Sequence, residues 1–189
     1  MARIFLIRHG EPAASWHEEH DPGLSALGLA QAEAAAAALV ARAVRQVVCS
    51  PLLRCRETAA PFVRLSGVEL AVEPRVTEVP SPNPADRLAW LRRTFPGAVD
   101  GGSRDGWDAC GEDIVRWRRG VLSALAALER DAAVFTHFIA INAAVSAALG
   151  CDQAIVCRPA HASITELSID RGVLRLVSLG EQSDGRKVA

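Results

Sequence analysis

The chain begins Met1-Ala2-Arg3-Ile4-Phe5-Leu6-Ile7-Arg8-His9-Gly10-Glu11-Pro12. Ile4–Ile7 is an unbroken run of β-branched, aromatic and aliphatic residues. A strand with one wet face alternates polar and apolar residues, whereas a strand covered on both faces does not. The run therefore predicts a central strand of an α/β sheet. It stops abruptly at an arginine, a histidine and a glycine, an unusual ending for a buried strand.

Moving outward, the same pattern recurs. Gln46–Cys49 is a second short strand, followed by Ser50-Pro51 as N-cap and first residue of a helix that runs to about Leu65 and ends near Gly67. Between these strands, Ser25 stands where an N-cap belongs, and an Ala-rich helix extends to about Ala43. Val68–Val72 reads as a third strand and Ala132–Thr136 as a fourth, with a helix to about Leu149 directly after it. A long amphipathic helix over 111–130 carries Ile114, Trp117, Val121, Leu125 and Leu128 on one face. Ser163–Ile169 and Val173–Leu179 alternate and are joined by Asp170-Arg171-Gly172, a hairpin. This order predicts an α/β fold, a three-layer α/β/α sandwich with a mostly parallel mixed sheet.

At 189 residues the chain fits one domain, over 1–180, and the polar run 181–189 is expected to be a disordered tail. Residues 74–106, broken by Pro74, Pro80, Pro82, Pro84 and Pro96, read as a functional lid or insertion with a short helix at 85–94. A net charge of −1 argues against a broad electrostatic footprint for nucleic acid or an anionic membrane. Lys187 is the only lysine, so an anion site has to be built from arginine, histidine and backbone N–H groups. Cys49, Cys55, Cys110, Cys151 and Cys157 lack CxxC spacing and read as free thiols of a reducing compartment. Cys49 and Cys55 flank the second strand–helix junction, where oxidation would be felt. Ile4–Ile7 is too short for the apolar core of a secretory signal, so a cytoplasmic location is expected.

In parallel sheets the ligand crevice lies outside the carboxyl ends of the strands. Arg8-His9-Gly10, Ser50-Pro51-Leu52-Leu53-Arg54 and Thr136-His137-Phe138 all stand at such ends and converge on one edge. Arginine offers a planar fork of donors that matches a phosphate, and helix N-termini at Pro51 and Phe138 add donors aimed the same way. A neutral imidazole among them is a competent nucleophile toward phosphorus, and both His9 and His137 qualify by position. A carboxylic acid in the irregular 74–106 segment would protonate the leaving alkoxide.

Arg8-His9-Gly10-Glu11-Pro12, Leu24-Ser25-Ala26-Leu27-Gly28-Leu29-Ala30-Gln31-Ala32, Ser50-Pro51-Leu52-Leu53-Arg54 leading to Glu57-Thr58-Ala59, and the late His137 together resemble the histidine phosphatase superfamily, the phosphoglycerate-mutase-like group. The resemblance covers about residues 2–178 in element order. It implies His9 as the phosphorylated nucleophile, Arg8 and Arg54 as phosphate ligands, and His137 as a further ligand of the transferring group. It implies a general acid shortly after the third strand, where Glu78 stands, with Asp86 and Glu73 in reserve. No metal and no organic cofactor are expected, and the substrate would be a small phosphorylated metabolite. Two positions depart from the family pattern: Phe138 replaces a glycine and is expected to shape the substrate pocket, and Val79-Pro80-Ser81-Pro82-Asn83-Pro84 replaces the stretch after the acid.

The expected activity is metal-independent hydrolysis of a phosphomonoester through a phosphohistidine on His9. The alternatives are a phosphomutase of the phosphoglycerate type and a non-catalytic phospho-ligand-binding protein. His17-Glu18-Glu19-His20 lacks the i, i+4 histidine spacing of a helical zinc motif and reads as a solvated loop. His161 reads as structural or as a rim residue, and Trp16 as a residue able to cover the pocket mouth. Specificity would lie in loop 11–24 and in 74–106; the oligomeric state is left open.

Overall fold

The computed structural model describes residues 1–14, 21–82, 86–99 and 106–183. Its elements run β1 (Ala2–Arg8), α1 (Ala26–Val40), β2 (Gln46–Cys49), α2 (Leu53–Ser66), β3 (Leu70–Val72), α3 (Arg87–Thr94), α4 (Pro96–Val99), α5 (Glu112–Ala126), β4 (Ala132–Thr136), α6 (Phe138–Ala148), β5 (Ile164–Asp170) and β6 (Val173–Ser178). The strands form one sheet in the order β3-β2-β4-β1-β5-β6. β3, β2, β4 and β1 pair in parallel, while β5 runs antiparallel to β1 and β6 antiparallel to β5. Among the described residues no helix is long and apolar enough to cross a membrane.

The unbroken apolar run of β1 is explained by its central place. Ile4 and Leu6 pack on one face with Leu125, Ile141 and Val145 of α5 and α6, and Phe5 and Ile7 pack on the other with Ala35, Leu39 and Phe62 of α1 and α2. Two apolar layers thus sandwich the sheet, and α6 is buried along Phe138–Ser146. The parallel register pairs Arg8 with Thr136 and Cys49 with Phe135, so His9, Ser50 and His137 leave the sheet along the same edge.

Several expectations are corrected in detail. α2 begins at Leu53 rather than Pro51, because Ser50 Oγ lies 2.8 Å from His137 Nε2 and only 3.4 Å from the Leu52 N–H. The Leu53 N–H is met instead by the Asp21 carboxylate, with both oxygens at 3.0 Å. The run after Gly180 does not become a tail at once. The Ala160 N–H donates to the Glu181 carbonyl (2.8 Å) and the Ser183 N–H to that of Arg158 (2.7 Å). This backbone pairing needs no apolar pattern, so polar composition conceals it; residues 184–189 lie outside the described residues.

Within 74–106 the described residues are anchored in the core. Trp90, Phe95 and Ala98 are buried with α5 and α6, and Trp90 meets Phe95 edge-on at 5.9 Å. Pro74–Val76 forms a 3-10 turn whose Val76 carbonyl accepts the Thr136 hydroxyl at 2.5 Å. That bond ties the segment carrying Glu78 to the end of β4.

Candidate active site

Arg8, His9, Arg54 and His137, predicted to converge, do so at the carboxyl edge of the sheet. All four are buried: 2%, 5%, 1% and 0% exposed. Each is placed by its backbone position at an element's end. Arg8 is the last residue of β1, and the His9 N–H donates to the Thr136 carbonyl at 3.0 Å. His137 is the N-cap residue of α6, and Arg54 stands in the first turn of α2.

The glycines of the two amino-terminal motifs have a steric cause. A Cβ on Gly10 would lie 2.7 Å from the Gly28 carbonyl oxygen, and one on Gly28 would strike the Glu11 carbonyl. The loop after His9 therefore lies directly on the first turn of α1. Ser25 caps that turn, accepting the Gly28 N–H at 3.0 Å, while its hydroxyl donates to Glu11 at 2.9 Å. The Gly10 N–H donates to the Thr58 hydroxyl (2.9 Å), which donates onward to the Arg54 carbonyl (2.6 Å). Both motifs are thus parts of one clamp around His9.

The tautomers follow from the partners. His9 Nδ1 lies 2.8 Å from the Gly10 carbonyl, which only accepts, so Nδ1 carries the proton and Nε2 keeps its lone pair. His137 Nδ1 lies 3.3 Å from an Arg54 guanidinium nitrogen, which only donates. His137 therefore carries its proton on Nε2 and gives it to Ser50 Oγ at 2.8 Å. Burial first, and the Arg54 and Arg8 guanidinium charges with it, push the titration of both imidazoles well below the ordinary histidine range. Arg8 is lowered to about 10, mainly by burial. The rings of His9 and His137 are 5.2 Å apart, centre to centre. The result is a neutral nucleophile-grade imidazole beside guanidinium cations, in a site largely closed to water.

Glu78 also reaches this edge. Its Oε1 accepts the Val79 N–H (3.0 Å) and its Oε2 accepts the Ile139 N–H in the first turn of α6 (3.2 Å). The carboxyl group thus occupies the helix terminus expected to face a phosphate, and Asp21 does the same at α2, 3.5 Å from Arg54. Phe138 does not line an open pocket. It is 3% exposed, packs in the core, and places its ring 5.2 Å beneath the Arg8 guanidinium, supporting a phosphate-ligand candidate rather than shaping a substrate.

Sequence reading missed four contributors. Ser50 looked like a helix cap, and Asp21 like loop. Thr58 is buried, and it stood in a quoted motif without a role assigned to it. Arg87 hides in the Pro-rich segment; it is buried, donates to the Val79 carbonyl at 3.1 Å, and acts electrostatically on Glu78 and His137. Only Ser50 had a legible signal, because it directly follows β2 at the level where His137 follows β4. Glu73, a reserve acid, pairs with Arg75 at 2.7 Å. His17–His20 and Trp16 lie outside the described residues.

Comparison with known proteins agrees with this geometry. A "Probable phosphoglycerate mutase GpmB" of Escherichia fergusonii is 28% identical over 165 residues, covering 79% of this chain and 76% of that protein. A mycobacterial glucosyl-3-phosphoglycerate phosphatase, solved with inorganic phosphate, superposes with a TM-score of 0.74 at 26% identity, over 96% of this chain and 98% of that one. Phosphoserine phosphatase of Entamoeba histolytica, in complex with 3-phosphoglyceric acid, shares the fold, with a TM-score of 0.73 at 20% identity over 98% and 100%. The family profile of the histidine phosphatase superfamily (branch 1) matches residues 4–182. Because that match runs from the first strand to the segment that pairs with Arg158–Ala160, it takes in sheet and pocket alike, and the chain belongs to this superfamily.

Proposed function

We propose that the protein is a metal-independent phosphatase that hydrolyses a phosphomonoester of a small metabolite through a phosphohistidine on His9. The observation that carries this reading is the Gly10 carbonyl 2.8 Å from His9 Nδ1, which leaves Nε2 unprotonated among Arg8, Arg54 and His137. In the first step Nε2 bonds to phosphorus and the bond from phosphorus to the leaving oxygen breaks. The Glu78 carboxyl gives that oxygen its proton. The resulting carboxylate then takes a proton from water, whose oxygen attacks phosphorus, and the N–P bond breaks to release phosphate and restore His9. Arg8 and Arg54 bind the equatorial oxygens, so the charge of the transferring group meets donors that are already in place. His137 joins them once Arg54 turns from its Nδ1 to the phosphate: the proton then sits on Nδ1, and Nε2 accepts the Ser50 hydroxyl.

For Glu78 to act, its carboxyl must give up the Ile139 N–H when phosphate arrives, and the amide is then available to the anion. His9→Ala is expected to abolish hydrolysis of p-nitrophenyl phosphate, and Glu78→Gln to slow it most for esters with poor leaving groups. Full turnover by His9→Ala would overturn the reading. The relative named as a mutase favours a second reading, in which the phosphoryl group returns to the substrate. Incubation with phosphoglycerates separates the two: the phosphatase releases inorganic phosphate, and a mutase isomerises the ester.

A further inference from the structure

We propose that His161 is a third imidazole of the site, a ligand that donates a hydrogen bond from Nε2 to the phosphoryl group held by His9. The inference rests on the phosphatase reading and adds to its phosphate ligands a residue that the sequence motifs do not include and that the sequence left as structural or at the rim.

Its place in the fold is set by topology. β4 and β5 flank β1 on its two sides; His137 follows β4, and His161 precedes β5. The two imidazoles therefore approach His9 from opposite flanks, with ring centres 5.2 and 5.7 Å from its own. The loop bearing His161 is bonded directly to the Arg8–His9 pair. The Arg8 N–H donates to the Ser163 carbonyl (3.3 Å), and the Arg8 guanidinium to that of Pro159 (2.9 Å). In return, the Ala162 N–H is shared between the carbonyls of Arg8 (3.0 Å) and His9 (3.3 Å).

Holding this arrangement puts Ala162 at φ +56°, a left-handed conformation unfavourable for a residue with a Cβ. Backbone strain of this kind persists where the surroundings over-determine it, and it clusters at functional sites. Here it sets the ring of His161 against the nucleophile.

The ring also has an unmet need. Nε2 of His161 is shielded from solvent and has no hydrogen-bond partner among the described residues. Buried polar atoms are nearly always paired, so an orphan beside a candidate nucleophile points to a ligand. Burial, and the Arg8 guanidinium charge after it, lower its titration to about 3. A neutral imidazole among cations serves an oxygen acceptor bearing negative charge, and a phosphoryl oxygen on His9 meets that description.

The test uses inorganic phosphate and orthovanadate as competitive inhibitors of p-nitrophenyl phosphate hydrolysis, because neither has a leaving group. His161→Phe keeps the ring shape without a donor, and His161→Gln restores an N–H near the position of Nε2. His161→Phe is expected to weaken both inhibitors about tenfold or more, the worth of one hydrogen bond to a charged group. His161→Gln should recover most of that loss, and melting temperatures should stay near wild type. If His161→Phe does not fold, His161→Ala is measured against His161→Gln with the same expectation. A structural role would lower stability in the Phe and Ala variants with no selective rescue by Gln, and that result, or unchanged inhibition in both, overturns the proposal. A change confined to the KM of one ester also overturns it, since the contact would then be to the leaving group. If wild type neither hydrolyses the ester nor binds the two anions, the phosphatase reading fails and this proposal falls with it.

Discussion

His9 and His137 differ in what each is prepared to do, although both are buried imidazoles. A carbonyl fixes the proton of His9 on Nδ1, and a guanidinium fixes that of His137 on Nε2, where Ser50 receives it. Ser50 is therefore a positioning residue, and removing its oxygen leaves the buried N–H only the weak acceptor Cys55 Sγ at 3.3 Å, at a cost of about 1–3 kcal/mol. Ser50→Ala is expected to lower kcat by about tenfold or more and to reduce the melting temperature by a few degrees, while Ser50→Thr retains most of the activity. Steady-state kinetics and thermal melts check this, and unchanged turnover in Ser50→Ala would show that His137 needs no such orientation. Arg8, His9, Arg54 and His137 were readable from the sequence because each stands next to a strand end. Ser50, Asp21 and Arg87 were not read as site residues, because their roles depend on contacts 87, 33 and 8 residues distant along the chain.

α1 and the loop after β1 behave as one unit, because Gly10 and Gly28 let their backbones touch. Any side chain at either position must move the loop that orients His9. Gly28→Ala is expected to destabilise the fold by about 3 kcal/mol, at the upper end for overpacking, despite the higher helix propensity of alanine. Urea unfolding measures it, and a neutral or stabilising effect would show that the loop moves aside freely. The strands were legible to within two residues at most ends, because β1, β2 and β4 are covered on both faces and carry no alternation. Helix starts were less legible. α2 is capped by Asp21, a residue far away in sequence, so the local Ser-Pro signal misplaced its first turn by two residues. The pairing of Glu181–Ser183 with Arg158–Ala160 left no trace in composition at all.

Across the whole molecule, the sheet gathers Arg8, His9, Arg54 and His137 at one edge, at a cost to stability that depends on pH. His9 and His137 titrate well below the ordinary value in the folded protein, whereas in the unfolded chain they take a proton near pH 6.5. Below that pH the unfolded state binds more protons than the folded one, so stability falls as pH falls. At pH 5.5 each of these histidines, and His161 with them, costs on the order of 1 kcal/mol relative to high pH. Urea midpoints between pH 7.5 and 5.5 are expected to drop accordingly, and a flat profile would mean that the imidazoles are charged in the fold. The same neutrality that costs stability keeps His9 nucleophilic in mildly acidic solution. The most direct test of the account is rapid quenching of the protein with radiolabelled phosphomonoester, followed by peptide mapping under alkaline conditions. The account predicts an acid-labile, alkali-stable label on the peptide containing His9, absent in His9→Ala. Hydrolysis proceeding with no label on that peptide, or with the label on another residue, would contradict it.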